Sequence, residues 1–237
     1  MGIEFFSGNA KHNGAALLPR AYRKTVSWLP QIGDIFPDFV ANTTQGPVHL
    51  HDWAEGSWVF FFSHPAAFTP VCSTEIASFA NAKEEFAARN VKVLGLSREA
   101  ISTQQEWFSE IESIFDVKVD FPMIEDLSGK LAKTFGMVHP KEGDGWAIRK
   151  SFIIDPSLKV RMIFEYPVHV GRSSMETIRV IDALKANEQH GVCTPGDWVP
   201  GDRFLLPSGI SDAEASARYG NQWEKLSDYL KVVTLEE

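Results

Sequence analysis

Only two cysteines occur in the 237 residues of this chain, and the first has unusual company. Cys72 lies in the stretch Ser63-His-Pro-Ala-Ala-Phe-Thr-Pro-Val-Cys-Ser-Thr-Glu75. Thr69-Pro70 reads as a helix start, since threonine is a good N-cap and proline is best tolerated at the first helical position. Cys72 then falls third in the first turn, where backbone N–H groups lack helical partners and the helix dipole is positive. Such a position favours thiolate over thiol, and the thiolate is the nucleophilic form. From helix position alone, a reactive thiol and a buried packing cysteine are both open, the latter being the commonest fate of a free cysteine. A C-x-x-C redox pair is excluded, because Thr69 and Glu75 stand where the partner would be.

The flanking elements must hold that turn in place. Trp58–Phe62 has the length and aromatic content of a fully buried strand. A helix is expected from about Pro70 to Ala88, with Ile76, Phe79, Ala80 and Phe86 near one face and Lys83, Glu84 and Glu85 near another. The strand-to-helix junction puts Cys72 at the carboxyl end of a strand, where α/β sheets bind ligands. Val48–His51, Val91–Leu96 and Phe121–Ile124 read as further strands. Ile101–Ile114 reads as a helix with Trp107, Phe108, Ile111 and Phe115 as its apolar stripe, and Ser128–Phe135 as a short helix ending at Gly136. Lys150–Ile154 and Val160–Glu165 flank Asp155-Pro-Ser-Leu158 as a hairpin, and Met175–Glu188 is a helix with Ile178, Ile181 and Leu184 on one face. Strands alternating with helices, then a hairpin and a closing helix, predict an α/β fold with a central mixed sheet covered on both faces. Residues 1–28 read as an N-terminal extension, 29–192 as the main domain, and 193–237 as a small C-terminal appendage punctuated by Pro195, Pro200 and Pro207 with a short helix near Asp212–Tyr219.

Composition narrows the function. The formal net charge is −8 and no basic stretch offers a row of phosphate contacts, so nucleic acid is not expected as a partner. The longest apolar run is far shorter than the roughly 20 residues of a membrane span. Met1–Leu18 has no basic-then-apolar signal pattern, and Phe6 stands where N-myristoylation wants serine or threonine, so the cytoplasm is the expected compartment. Seven histidines are scattered without ligand spacing, and neither metal nor cofactor is expected.

Pro65, Thr69 and Cys72 spell P-x-x-x-T-x-x-C, and the string around them resembles the active-site signature of the peroxiredoxins. The resemblance runs from about Ile32 to about Leu206. It takes in Gly33-Asp-Ile-Phe-Pro-Asp-Phe39, the stretch Asp126–Met137 (D-L-S-G-K-L-A-K-T-F-G-M), and Ile148–Pro156 (I-R-K-S-F-I-I-D-P). The tail, with T-P-x-D-W at Thr194–Trp198 and Gly201-Asp202, is similar to the one-cysteine subgroup. That likeness implies a thioredoxin-like fold, a thiol peroxidase reducing hydrogen peroxide and organic hydroperoxides through a cysteine sulfenic acid, and a homodimer with the C-terminal appendage reaching toward the neighbour, or a higher homo-oligomer. Trp223 and Tyr229 would be sensible anchors at that joint, though a tail packed on its own domain fits equally.

Carried over by residue, Cys72 resembles the peroxidatic cysteine, Thr69 the threonine whose hydroxyl contacts thiolate and peroxide, and Pro65 the proline shielding the pocket. Arg149 resembles the arginine entering from a later strand, Glu75 the acid that orients it, Arg172 a second nearby arginine, and His64 a pocket-lining histidine. Otherwise a strand-end arginine most often serves a surface salt bridge, and a lone histidine packing. Peroxide reduction needs a thiolate in line with the O–O bond, and donors for the charge gathering on the leaving oxygen. Arg149, the Thr69 hydroxyl and the helix-start N–H groups are of the right type.

Cys193, in His190-Gly-Val-Cys193, lies in a stretch similar to that of the resolving cysteine of two-cysteine relatives, yet beside a one-cysteine tail. Resolution by Cys193 and reduction by an external thiol (glutathione or thioredoxin-like) are both open. Two other functions are weighed. A phospholipase would need G-x-S-x-G around Ser57, but Glu55-Gly-Ser-Trp-Val59 lacks both outer glycines that a strained nucleophile turn requires. An oligomeric holdase or scaffold could use the same fold without chemistry, and the intact Pro65, Thr69, Cys72 and Arg149 set argues against it.

Overall fold

The apolar run Trp58–Phe62 does form the middle of a sheet, and its side chains alternate between two cores. Trp58, Phe60 and Phe62 enter one with Ile76, Phe79, Trp107 and Ile178, while Val59 and Phe61 enter the other with Phe36, Phe135 and Phe152. A strand covered on both faces reads as continuous hydrophobicity although its geometry still alternates. The computed structural model describes residues 29–139, 141–142 and 145–235. The expected extension at 1–28, with its readings on signal and myristoylation, lies outside the described residues.

Along the chain come β1 (Val40–Thr43), β2 (Gly46–His49), α1 (Leu50–Ala54), β3 (Trp58–Ser63), α2 (Pro70–Asn81), α3 (Lys83–Ala88), β4 (Val91–Ser97) and α4 (Ile101–Phe115). Then follow β5 (Met123–Glu125), α5 (Lys130–Thr134), β6 (Arg149–Ile154), β7 (Val160–Tyr166) and α6 (Ser174–His190). The chain closes with β8 (Phe204–Leu205), α7 (Asp212–Tyr219), β9 (Trp223–Lys225) and β10 (Lys231–Val233). The first seven strands form one mixed sheet in the order β2-β1-β5-β4-β3-β6-β7, and the last three a small antiparallel sheet in the order β8-β10-β9. The mixed sheet flanked by helices is the thioredoxin-like arrangement expected.

Two registers position the site. β4 runs parallel to β3, and β6 runs antiparallel to it with Phe62 opposite Ser151. The carboxyl end of β3 therefore meets the start of β6, which brings Arg149 to the helix that β3 feeds. Along β6, Ile153 belongs to the core shared with α2 while Phe152 and Ile154 belong to the other. By strand period, Arg149 and Ser151 face α2 and Lys150 faces away. The Lys150 ammonium accordingly pairs with Glu165 Oε1 at 2.5 Å and lies over the Phe152 ring.

The expected helix from Pro70 to Ala88 is two helices, with Ala82 between them at φ −87°, ψ 9°. The break lets Phe79 and Phe86, one on each helix, both pack on Phe60, at 5.1 and 5.8 Å between ring centroids. The short helix expected from Ser128 starts at Lys130, because Asp126 does the capping: its carboxylate accepts from Lys130 N–H (2.9 Å) and Ala132 N–H (2.8 Å). Among the described residues, no helix is long and apolar enough to cross a membrane.

The C-terminal part has its own small core of Val192, Leu206, Ala215, Tyr219 and Val233. A capping box of Ser211 and Glu214 starts α7. Trp223 packs against that core and donates its indole N–H to Ser216 Oγ (3.2 Å), whereas Tyr229 is exposed.

Candidate active site

β3 ends at Ser63, a turn over His64–Thr69 follows, and Pro70 opens α2 at its first position. Cys72 thus lies in the first turn, as the sequence predicts, and is fully buried. Thr69 is the N-cap residue by backbone shape, but its side chain makes no capping bond. Its hydroxyl instead donates to the Ala66 carbonyl at 2.8 Å, closing the turn on itself. The N-cap expectation is corrected in that respect: the hydroxyl is spent on the loop, and the proline at the first helical position only removes an N–H that would have had no helical partner. Pro65 is buried in the same turn, and Phe68 holds a left-handed φ of +54°.

A buried charge cluster sits against the sulfur. Arg149 Nη1 lies 3.3 Å from Cys72 Sγ and 2.6 Å from Glu75 Oε2. The rest of that guanidinium donates to the Val168 carbonyl, from Nε at 3.0 Å and Nη2 at 2.6 Å. Glu75 follows Cys72 by three residues on α2, so both project toward one side of the helix. Its other oxygen, Oε1, accepts from the Arg172 backbone N–H (2.7 Å) and Nε (2.8 Å), while Arg172 Nη2 donates to Oε2 (2.9 Å). Arg172 also donates to Ser151 Oγ at 2.9 Å. Arg149, Arg172 and Glu75 are all buried, so neither arginine is the surface salt bridge that a strand-end arginine usually makes.

The cluster carries two guanidiniums and one carboxylate. Its net positive charge is shielded from water, and the sulfur is one of its acceptors. Burial alone would raise the Glu75 pKa, but the Arg172 charge and hydrogen bonds, then the Arg149 charge, outweigh it and hold the carboxyl below its ordinary value. His64 is buried, with its ring 5.1 Å from that of Trp107. Neither ring nitrogen has a hydrogen bond of ordinary geometry, the Ala66 backbone adding only a weak favourable contact. Burial, with the Arg172 and Arg149 charges adding and Glu75 opposing, pushes its pKa down to about 3, so the ring is neutral at ordinary pH.

Several members of the site escape the sequence reading. Ser151 faces Arg172 and could have been found from its i, i+2 relation to Arg149 on one strand. Trp107 donates to Ser73 Oγ (3.0 Å), whose hydroxyl donates to the Thr69 carbonyl (2.9 Å), tying α4 to the helix start. The Glu99 carboxylate accepts from the Ala67 N–H at 2.8 Å. The Val168 carbonyl has no side-chain signal at all.

Cys193 stands apart. It is exposed, unpaired like Cys72, and held by a two-bond backbone bridge to Leu205. Ser57, which a lipase would use, lies just before β3, at the strand end opposite the site. Its hydroxyl donates to Asn90 Oδ1 (3.2 Å), with no histidine in the pairing.

Two family models match the chain: the AhpC/TSA family over residues 32–163 and the C-terminal domain of 1-Cys peroxiredoxin over 183–222. The mitochondrial peroxiredoxin PRX1 of Saccharomyces cerevisiae is 39% identical over 224 residues, covering 92% of this chain and 85% of that one. The 1-Cys peroxiredoxin of Dictyostelium discoideum is 35% identical over 202 residues, 85% of this chain and 84% of that one. Among solved structures, a cysteine-to-serine mutant of Peroxiredoxin 6 of Arenicola marina superposes with a TM-score of 0.81 at 36% identity, covering 86% of this chain and 97% of that one. A yeast mitochondrial 1-Cys peroxiredoxin, described for thiol resolution through the glutathione/thioredoxin systems, gives 0.80 at 39% identity, covering 86% and 99%.

Proposed function

Because this chain belongs to the peroxiredoxin family, in its one-cysteine subgroup, and is a thiol-dependent peroxidase, we propose that Cys72 is the nucleophile that attacks peroxide. The observation that carries this reading is the Arg149 Nη1 donor 3.3 Å from its sulfur, inside a buried cluster of net positive charge. The Cys72 thiolate attacks one peroxide oxygen. An S–O bond forms, the O–O bond breaks, and the leaving oxygen departs as hydroxide or alkoxide and takes up a proton. Cys72 is left as a sulfenic acid.

Arg149 and the N–H groups at the start of α2 stabilise the departing negative charge, in the manner of an oxyanion hole. Thr69 shapes the pocket, and its hydroxyl can exchange the Ala66 carbonyl for thiolate or peroxide. Pro65 shields the site, and His64 lines it as a neutral ring. Glu75 and Arg172 act through Arg149: the carboxylate fixes the guanidinium, and Arg172 fixes the carboxylate. The direct test follows peroxide consumption with a thiol reductant in wild type and in Cys72→Ser. Equal rates would reject the reading.

The second half of the cycle falls to an external thiol, which condenses with the sulfenic acid to a mixed disulfide and releases water; a second thiol then attacks the outer sulfur, carries it off as a disulfide and returns the Cys72 thiolate. The burial of Cys72 and the exposure of Cys193 on its own backbone bridge support separate roles for the two thiols. A non-reducing gel after one equivalent of peroxide decides: a linked dimer lost in Cys193→Ser would assign resolution to Cys193, and a monomer with a trappable sulfenic acid to an outside reductant. Residues 29–192 form the peroxidase domain and 193–237 an appendage serving a homodimer, a reading supported by the exposed Tyr229. The cytoplasm, which supplies thiols, suits a chain whose two cysteines are both free.

A further inference from the structure

We propose that Glu99, between β4 and α4, is a positioning residue for peroxide reduction, an inference that rests on the Cys72 reading above. The turn between β3 and α2 is held by little of its own. Phe68 sits at φ +54°, a conformation that a bulky non-glycine residue adopts only under outside restraint. Its side chain is half exposed and meets the core at the Trp107 ring of α4, 6.5 Å between centroids, while Ala67 before it is buried; this packing seats the turn, and the backbone conformation needs a directional restraint as well. The Thr69 hydroxyl bonds back to Ala66 within the turn. Among the described residues, the one hydrogen bond that ties the Pro65–Phe68 backbone to a separate element runs from Ala67 N–H to Glu99 Oε1, at 2.8 Å.

Glu99 is itself well anchored. Its N–H donates to Ser97 Oγ (3.3 Å), and its carbonyl accepts from Gln104 Nε2 (2.9 Å). Gln104 is fully buried and also donates to the Ile124 carbonyl (3.3 Å), so the restraint reaches the sheet. The second carboxylate oxygen, Glu99 Oε2, is buried with no hydrogen-bond partner. A half-satisfied buried carboxylate costs stability that a smaller apolar residue would not. What the chain receives in exchange is the grip on Ala67. Released from it, Phe68 relaxes out of the left-handed region, and the displacement passes along the chain to Thr69 and the first turn of α2. Arg149 and the cluster behind it, held separately by Glu75 and Val168, stay put. The sulfur then loses alignment with its donors without leaving the fold.

The full-length protein in a Cys193→Ser background has one thiol to follow. Stopped-flow oxidation of reduced Cys72 by hydrogen peroxide should slow about 30- to 100-fold in Glu99→Ala, the usual result of a displacement of about 1 Å at a reacting centre. Glu99→Asp, which keeps the charge but not the reach, should slow it similarly and serves if the alanine variant does not fold. Glu99→Gln, whose amide oxygen can still accept from Ala67, should stay within about threefold of wild type by the same argument. Alkylation of Cys72 by iodoacetamide needs no aligned donor for a leaving oxygen and should be unchanged or faster. An unchanged peroxide rate in Glu99→Ala and Glu99→Asp, no rescue by Glu99→Gln, or a parallel fall in alkylation would each overturn the proposal. A parent protein whose Cys72 fails to react with peroxide would instead defeat the Cys72 reading on which it rests.

Discussion

Two regions of this molecule each hold one cysteine and one cluster of charges, and they handle both differently. At the end of β3, Cys72 is buried and the ions around it, Glu75, Arg149 and Arg172, are buried with it. Beside the C-terminal sheet, Cys193 is exposed on an isolated backbone bridge to Leu205. There Lys225 pairs with Asp212 (3.2 Å) and Asp228 (3.3 Å) on the surface, while Lys231, itself buried, reaches Asp212 at 2.7 Å. Charges kept in water interact weakly, and breaking such a pair costs little. Charges taken out of water depend on one another, because each lost partner leaves an uncompensated ion. The first region concentrates electrostatic energy beside one sulfur, and the second spreads a small amount over a surface.

The largest difference should appear in activity. Cys72→Ser should lower the rate of peroxide reduction by about a thousandfold or more, while Cys193→Ser should leave it within about twofold, both measured by peroxide consumption with an external thiol. A comparable loss in both would erase the distinction.

Glu75→Gln should come next, destabilising the fold by about 3–5 kcal/mol in urea titrations, since two buried guanidiniums lose their counter-charge. The buried site should also lose stability on acidification. Glu75 has a lowered pKa in the fold, so the stability it contributes is present above its ordinary value of 4.5 and lost as pH falls through the folded value. His64, with a folded pKa of about 3 against 6.5, binds its proton better when unfolded, so its contribution is complete above 6.5 and erodes as pH falls toward 3. His64→Phe should therefore flatten the decline of stability across that window, followed as Tm against pH; an unchanged slope would show that the ring is not neutral in the fold.

The smallest effect belongs to the surface. Lys225→Ala should leave the urea midpoint nearly unchanged, and the more so in high salt, because its pairs with Asp212 and Asp228 lie in water. A loss as large as that of Glu75→Gln would break the contrast.

What could be read from the sequence was local. The β3 run, the Thr69-Pro70 helix start, the hairpin of β6 and β7 and the helix at Asp212–Tyr219 each announce themselves within a few residues. Arg149 and Arg172 stand far along the chain from Cys72, and it was the resemblance rather than the pattern that joined them to it. Contacts made by backbone were silent, as at the Val168 carbonyl. So was the break at Ala82, where alanine carries no signal and the cause is two phenylalanines converging on Phe60. Of the β1–β2 hairpin only Val48–His51 was legible as a strand, and its last two residues in fact open α1; β1 and the C-terminal sheet are built from strands of two to four residues, too short for alternation to register.

The strand β6 adds one consequence. Arg149 and Lys150 are adjacent cations on opposite faces, and only the phase of the strand decides which one meets the sulfur. That phase is set by Phe152, Ile153 and Ile154 finding their two cores. A slip of one residue would offer Cys72 a lysine, a point charge without the fork that lets one group hold sulfur, carboxylate and carbonyl together. The hydrophobic residues of β6 thus act as a reading frame for the chemistry at its first position, and packing that looks merely structural proofreads the active site each time the chain folds.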